Sequence, residues 1–391
     1  MVRGPASAAD SVGNGKAGGD VITGKPMLQH DPAAQETPPR RWRPSRSLTV
    51  VLVIGLLALA GIFIANAIPL NDYVLSPGVA QAVGPLISVP PAKGSASHGG
   101  ILLTDVYESR ISALQWPIYQ LDPNVAVYPA AALFGPSVPA AQIQAQNLLE
   151  MVGSSELARV VALRRLGYQV PEHTGAVVLQ VQPHTPASAL GGLQPGDAIT
   201  AVDGTALSGA PALTAALRRD HPGQRVVLSV THVDGTSGPE ALVLTSRPQH
   251  PSQAYAGVGV ATEAYFSLPF KVGINSKGIG GPSAGLAFTL GIMNALGGGD
   301  LTAGQKVAAT GTIALGGGVG AVGGVPQKTL AVRKAGATVF LVPAGANYTQ
   351  ALSKAGPHLH VVAVSSLSQA LAALRSLGGH VPAGSQRPAA G

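Results

Sequence analysis

Two residues of this 391-residue chain stand where unusual chemistry is available, Ser283 and Lys328. Ser283 lies in Gly278-Ile-Gly-Gly-Pro-Ser-Ala-Gly-Leu-Ala-Phe288, ahead of an apolar run that reads as a helix to about Leu296. The glycines let a substrate backbone come close. The N–H groups of a first helical turn can hold a developing oxyanion. The positive end of the helix dipole favours negative oxygen there. An ordinary N-cap serine has the same surroundings. Lys328 follows 45 positions later in Gly323-Gly-Val-Pro-Gln-Lys-Thr-Leu-Ala, in the first turn of a second expected helix. The dipole opposes a cation there. Beside Val325, Leu330 and Ala331, its ammonium form should be disfavoured and its pKa lowered. A neutral amine is a competent general base for a serine hydroxyl. A solvated surface lysine is the alternative.

Rival chemistries lack parts. A Ser-His-Asp triad needs an acid, and residues 251–391 hold only Glu263 and Asp300. His358, His360 and His380 have no acid beside them, and His358-Leu-His360 is a poor metal site without further ligands. Gly318-Val-Gly-Ala-Val-Gly323 matches a dinucleotide-binding glycine pattern, but no acid follows where a ribose partner belongs. No Gly-x4-Gly-Lys-Ser/Thr phosphate loop occurs, so the chain carries no ATPase of that type. With no cysteine, disulfides, thiolate metal sites and Cys nucleophiles are excluded. No metal or other cofactor is expected.

The elements that position these residues begin at a membrane. Residues 1–47 hold two Lys, five Arg and four acids, with Arg40, Arg41, Arg43 and Arg46 just before Leu48–Ile68. That run of 21 residues has no charge and is long enough to span a bilayer at ~20 helical residues. The preceding arginines orient the N-terminus to the cytoplasm and the remainder outside. Ala65-Asn66-Ala67 also has the form of a signal-cleavage site, but the run is longer than a signal core and Pro69 follows, which favours an uncleaved anchor. The basic cluster, and not the chain's net charge of +7, is thus read as a topology signal, and no nucleic-acid partner is expected. With 11% charged residues and a positive mean hydropathy, the chain is not disordered as a whole.

Beyond the anchor, Pro85–Pro91 and Gly100–Val106 read as strands, and prolines forbid a long helix over 108–140. A helical pattern covers 140–166, with Gly167 as its stop. A strand-rich block follows: a strand at Ala176–Val181, a short helix at Pro186–Leu190 and a strand at Ala198–Val202. Asp203-Gly204 is a turn, Ala210–Arg219 a helix and Arg225–His232 a strand. Further strands are expected at Ala256–Ala261, Phe270–Asn275 and Val307–Ile313, the last containing Thr310.

Two stretches carry resemblances. Leu166-Gly167-Tyr168, Gly175-Ala-Val-Val-Leu, Thr185-Pro-Ala-Ser-Ala-Leu-Gly-Gly-Leu-Gln-Pro-Gly-Asp-Ala-Ile and Val202-Asp-Gly204 together resemble a PDZ domain of the bacterial envelope-protease type. That resemblance implies a groove beside the helix at 210–219 in which a peptide adds as a strand. Leu166, Gly167 and Tyr168 would be the loop whose amides hold a C-terminal carboxylate; a helix-capping glycine with no ligand is the alternative. The Gly-Pro-Ser-Ala-Gly block, Ala309-Thr-Gly-Thr-Ile313, the Gly-Gly-x-x-x-Lys block and Ala335-Gly-Ala-Thr-Val-Phe-Leu-Val-Pro343 resemble the Lon-type serine peptidase domain, in family order. By that resemblance Ser283 is the nucleophile, Lys328 the general base and Thr310 the group that orients its amine. The amides around Gly281 to Ala284 would form the oxyanion hole. Many family members have an acid before Gly-Pro-Ser, where this chain has Gly280.

The expected fold class is α+β: a Lon-type peptidase domain with a PDZ domain, preceded by one N-terminal transmembrane helix. The expected boundaries are a disordered cytoplasmic tail over 1–47, the helix over 48–68 and an N-terminal β/α segment over 69–157, the first part of the peptidase domain. The PDZ domain follows over 158–248, the catalytic domain over 249–378 and a flexible tail over 379–391. The implied function is an ATP-independent serine endopeptidase of the cell membrane, single-pass, with its C-terminal domains extracytoplasmic. Its expected partners are protein or peptide substrates with exposed termini and the membrane, and the reading allows a homo-oligomer. The competing reading is a non-proteolytic PDZ adaptor or chaperone of the envelope.

Overall fold

The computed structural model describes residues 45–90, 100–135, 138–276, 278–297 and 300–382. The tails expected over 1–47 and 379–391 lie outside the described residues up to position 44 and from 383 on, and Arg40, Arg41 and Arg43 with them. The chain divides into two units, Met1–Leu59 and Ala60–Gly391, and the division falls within the helix Arg46–Ala67. That helix has 22 residues, none buried, and at 1.5 Å per residue is about 33 Å long. Among the described residues it alone is long and apolar enough to cross a membrane.

The second unit is built on a six-stranded sheet in the order His360–Val364, Val339–Pro343, Lys306–Ala309, Gly100–Ser112, Pro69–Ala82, Ala126–Pro129. The first four strands are parallel to their neighbours, and the last two pair antiparallel. Parallel neighbours need crossover connections, which the helices Val325–Lys334 and Ala346–Ala355 supply. Side chains alternate between the two faces of each strand. Leu102, Ala308, Phe340 and Val342 therefore pack with Val325, Val332 and Ala351 on one side. Leu103, Val307, Ala309, Val339 and Leu341 pack on the other with Leu163, Phe288, Leu290 and Leu371. The expected 140–166 helix runs Ala140–Arg165 and contributes Leu163 to that second core.

A second sheet has the order Val258–Phe266, Glu172–Val181, Ala198–Val202, Arg225–Thr231, Ser237–Val243, with Thr205–Ala206 paired to the third. It is antiparallel throughout and has its own core, including Val178, Ile199, Leu213 and Leu228. The strand expected at Ala256–Ala261 forms as Val258–Phe266 and joins this sheet, pairing from Val258 opposite Val181 to Phe266 opposite Glu172. The sheet thus draws on residues past the expected boundary at 248. Glu172–Val181 is otherwise open on that side, and an unpaired strand edge seeks a partner.

Three expected strands are interrupted. Pro85–Pro91 becomes a 3-10 turn at Gly84–Leu86 and a two-residue strand at Ile87–Ser88, as proline near a helical start allows. Only Gly273–Ile274 of the 270–275 stretch is a strand, paired with Ile87–Ser88. The 307–313 strand splits into Lys306–Ala309 and Thr312–Ile313 around Gly311. Gly311 has φ +144°, and a Cβ there would stand 2.7 Å from Val319. Only glycine holds that break without strain.

Leu341 is fully buried in an interior strand of the first sheet and Val243 is half-exposed on the edge of the second. Leu341→Ala should lower stability by about 2–5 kcal/mol and Val243→Ala by no more than about 0.5 kcal/mol, read from denaturant midpoints of the full chain.

Candidate active site

The serine segment is a loop held from several sides. A 3-10 turn, Pro282–Ala284, leads into the helix Gly285–Leu296, whose residues are nearly all buried. Ser283 therefore sits just ahead of the α-helix rather than within its first turn. From the helix Ala140–Arg165, Ser154 Oγ donates to Pro282 O at 2.9 Å, and Asn147 O accepts from Gly281 N at 2.8 Å. From the strand break, Gly311 N and Thr310 Oγ1 both donate to Ser283 O, at 2.9 and 3.2 Å. Leu286 N returns a bond to Gly311 O at 3.1 Å. The Gly281 amide, expected in the oxyanion hole, is thus committed to Asn147. Ala284 is buried in the turn after the serine.

Lys328 is the fourth residue of the helix Val325–Lys334, where its amide makes the helix's first hydrogen bond, to Gly324 O at 2.9 Å. Its side chain is 2% exposed. Nζ donates to Thr310 Oγ1 at 3.3 Å. Burial lowers its pKa to about 8, against the opposing pull of Asp105 and Glu108. Among the described residues, a cavity of about 710 Å³ is lined by both Ser283 and Lys328, and also by Asp105, Glu108 and Glu150. No histidine lines it. Asp300 accepts from Thr302, and Glu263 lies in Val258–Phe266, so neither acid of the C-terminal stretch serves the serine. Among the described residues no group of three or more His, Asp or Glu is gathered for a metal.

The family of PDZ domains matches residues 160–238, and that of the Lon protease (S16) C-terminal proteolytic domain matches residues 272–374. This chain carries a PDZ domain and a Lon-type proteolytic domain. Ser283, Thr310 and Lys328 all fall inside the proteolytic match. No curated protein matches the chain. Among solved structures, the PDZ domain of an SdrC-like protein from Listeria monocytogenes is 23% identical and covers 22% of this chain and 86% of its own, with a TM-score of 0.20. A protein from Geobacillus thermodenitrificans is 32% identical over 20% of this chain and 88% of its own, with a TM-score of 0.19. The corresponding PDZ domain from Listeria innocua is 22% identical over 22% and 92%, with a TM-score of 0.20.

In the PDZ domain the expected carboxylate loop is a helix cap. Gly167, at φ +88°, ends Ala140–Arg165 in the left-handed conformation that glycine favours. Leu166 N donates to Ala162 O, Gly167 N to Arg164 O and Tyr168 N to Leu163 O. The amides meant for a carboxylate are thus used within the cap. Leu166 is buried, and the Tyr168 ring stands edge-on to Phe270 at 5.1 Å. Leu166 and Tyr168 pack with the core of the proteolytic domain, whereas Leu213 of the helix Ala210–Leu217 belongs to the core of the second sheet. That helix stands beside Val258–Phe266, with Ala210 N donating to Thr262 Oγ1 at 3.0 Å.

Sequence reasoning missed Asp105, Glu108, Asn147, Glu150 and Ser154. They stand in elements that mix polar and apolar residues, so no local pattern marks them out. Asp105 lies at a register shift of the Pro69–Ala82 ladder, where its Oδ1 accepts from Val79 N at 2.6 Å. Thr310→Val removes both the acceptor of Lys328 Nζ and a donor to Ser283 O. At about 1 kcal/mol per hydrogen bond, kcat/KM on a cleaved peptide should fall about tenfold or more with the fold retained.

Proposed function

We propose that this chain is an ATP-independent serine endopeptidase, anchored by Arg46–Ala67 and working outside the cytoplasm on envelope or secreted proteins. The observation that carries it is a buried lysine, lowered to about 8, that shares one cavity with Ser283 and reaches Thr310. In the neutral form, Lys328 Nζ takes the proton as Ser283 Oγ attacks the scissile carbonyl. The tetrahedral oxyanion is met by amides of the serine turn, in which Ala284 takes part and from which Gly281 is withheld while bonded to Asn147. Lys328 then protonates the leaving amine. Water, deprotonated by the same amine, resolves the acyl-enzyme.

Orientation follows from Arg40, Arg41, Arg43 and Arg46 ahead of the apolar run. Three carboxylates line the cavity against the single cation Lys328, so segments carrying Lys or Arg are favoured near the scissile bond. The PDZ domain offers the free edge of Val258–Phe266 beside Ala210–Leu217 to substrate or regulatory termini.

Ser283→Ala and Lys328→Ala should each lower cleavage at least about 10²-fold while circular dichroism stays unchanged. Undiminished cleavage by either variant would overturn the mechanism, whereas no cleavage by the unaltered chain would favour an envelope adaptor or chaperone. Because the base acts when neutral, kcat/KM should rise with pH through about 8 and level off above. Glu108 holds the lysine's pKa up, so Glu108→Gln should move that rise to lower pH.

A further inference from the structure

A second cavity, of about 400 Å³, opens between the helix Ala140–Arg165 and the PDZ domain. Its walls are mostly apolar, with Leu148, Met151, Val152, Leu179, Val233 and Ile274, and Ser155, Gln180, Gln194 and Ser276 also line it. Leu148 and Leu179 are 48% and 38% exposed, an uncovered apolar surface at the cavity. Arg159 also lines it, and that side chain is 4% exposed. Its Nε donates to Val272 O at 2.8 Å, but its Nη1 is buried without a hydrogen-bond partner. It is the one such atom among the described residues.

A buried guanidinium donor left unpaired is costly, and the neighbouring acids do not relieve it. Asp197 is taken by His232 Nδ1 at 2.9 Å and by the amides of Gln194 and Val233. Asp234 pairs with Lys271 at 3.1 Å. Burial pushes the Glu156 carboxyl up to about 7, so near neutral pH it is only partly charged. Burial lowers Arg159 to about 10, which leaves it charged.

We propose that this cavity binds an aliphatic monocarboxylate, with the carboxylate on Arg159 and the alkyl group against Leu148, Leu179 and their neighbours. A planar guanidinium matches a carboxylate, and a mostly apolar site with a few polar groups, of which Arg159 is the one cation, is the usual form of a small-ligand pocket. Glu172–Val181 is paired along one side with Val258–Phe266 and on the other at Ala176–Val177 with Ala198–Val202, and Leu179 and Gln180 beyond that pairing line the cavity. A free short-chain acid and an aliphatic C-terminal residue share this chemistry. The site stands independently of the peptidase reading.

Calorimetry on the full chain in lipid nanodiscs, with Ser283→Ala to prevent cleavage, tests it. The probes are hexanoate against hexanamide, and acetyl-Ala-Leu with a free carboxylate against its amide. Binding of hexanoate points to free acids, and binding of the peptide acid alone to chain termini; either supports the site if the matching amide binds at least about tenfold more weakly. Arg159→Gln should cost about the same factor. Leu148→Glu, at a half-exposed helix position where the fold tolerates change, should abolish binding of both acids. Equal binding of acid and amide, no binding of either acid, or undiminished binding to Leu148→Glu overturns the proposal.

Discussion

The hydrogen bonds around Thr310 and Gly311 are the constraint on which the site depends. At that break in the central strand, Thr310 N is held by Leu341 O of the neighbouring parallel strand. Thr310 Oγ1 accepts from Lys328 Nζ and donates to Ser283 O. Gly311 N reaches Ser283 O as well, and Gly311 O accepts from Leu286 N. Two residues thus tie together the sheet, the serine turn and the lysine helix. The strand has to stop there, because a continuing ladder would spend these groups on backbone pairing. Glycine permits the stop, and threonine supplies a hydroxyl that donates and accepts at once.

The interleaving of the chain gives that junction its electrostatics. Gly100–Ser112, from the N-terminal segment, lies parallel beside Lys306–Ala309. It delivers Asp105 and Glu108 to the cavity of Lys328, while Ala140–Arg165 delivers Glu150. The C-terminal stretch that carries the serine and lysine has almost no acids of its own. Desolvation and these carboxylates act on the lysine in opposite senses, and desolvation is the larger.

The helix Ala140–Arg165 serves two modules at once. Near its middle, Asn147 and Ser154 hold the serine turn. At its end, Gly167 caps it just before the first strand of the PDZ sheet. Val258–Phe266 makes the return connection, since it completes the PDZ sheet and then leads on toward the serine segment.

The apolar run, a helix shortly after Pro282 and another at Val325, the 140–166 helix and the two domain resemblances were legible in the sequence, because apolar content, glycine and proline act locally. Ser283 and Lys328 could be singled out for the same reason, and Thr310 through the family resemblance alone. What lay beyond reach depends on which strands become neighbours. The burial of Lys328, the approach of Asp105, Glu108 and Glu150, and the transfer of Val258–Phe266 to the PDZ sheet are contacts between distant segments, and no local pattern encodes them. Leu166-Gly167-Tyr168 makes the division plain. The sequence by itself determined that Gly167 ends a helix there and left open whether the following amides face a carboxylate; the structure spends them on carbonyls of the preceding turn, and only the tertiary structure decided that Leu166 and Tyr168 pack with the core of the proteolytic domain. A backbone N–H has one proton to donate, and the groups that fold within its reach choose where it goes.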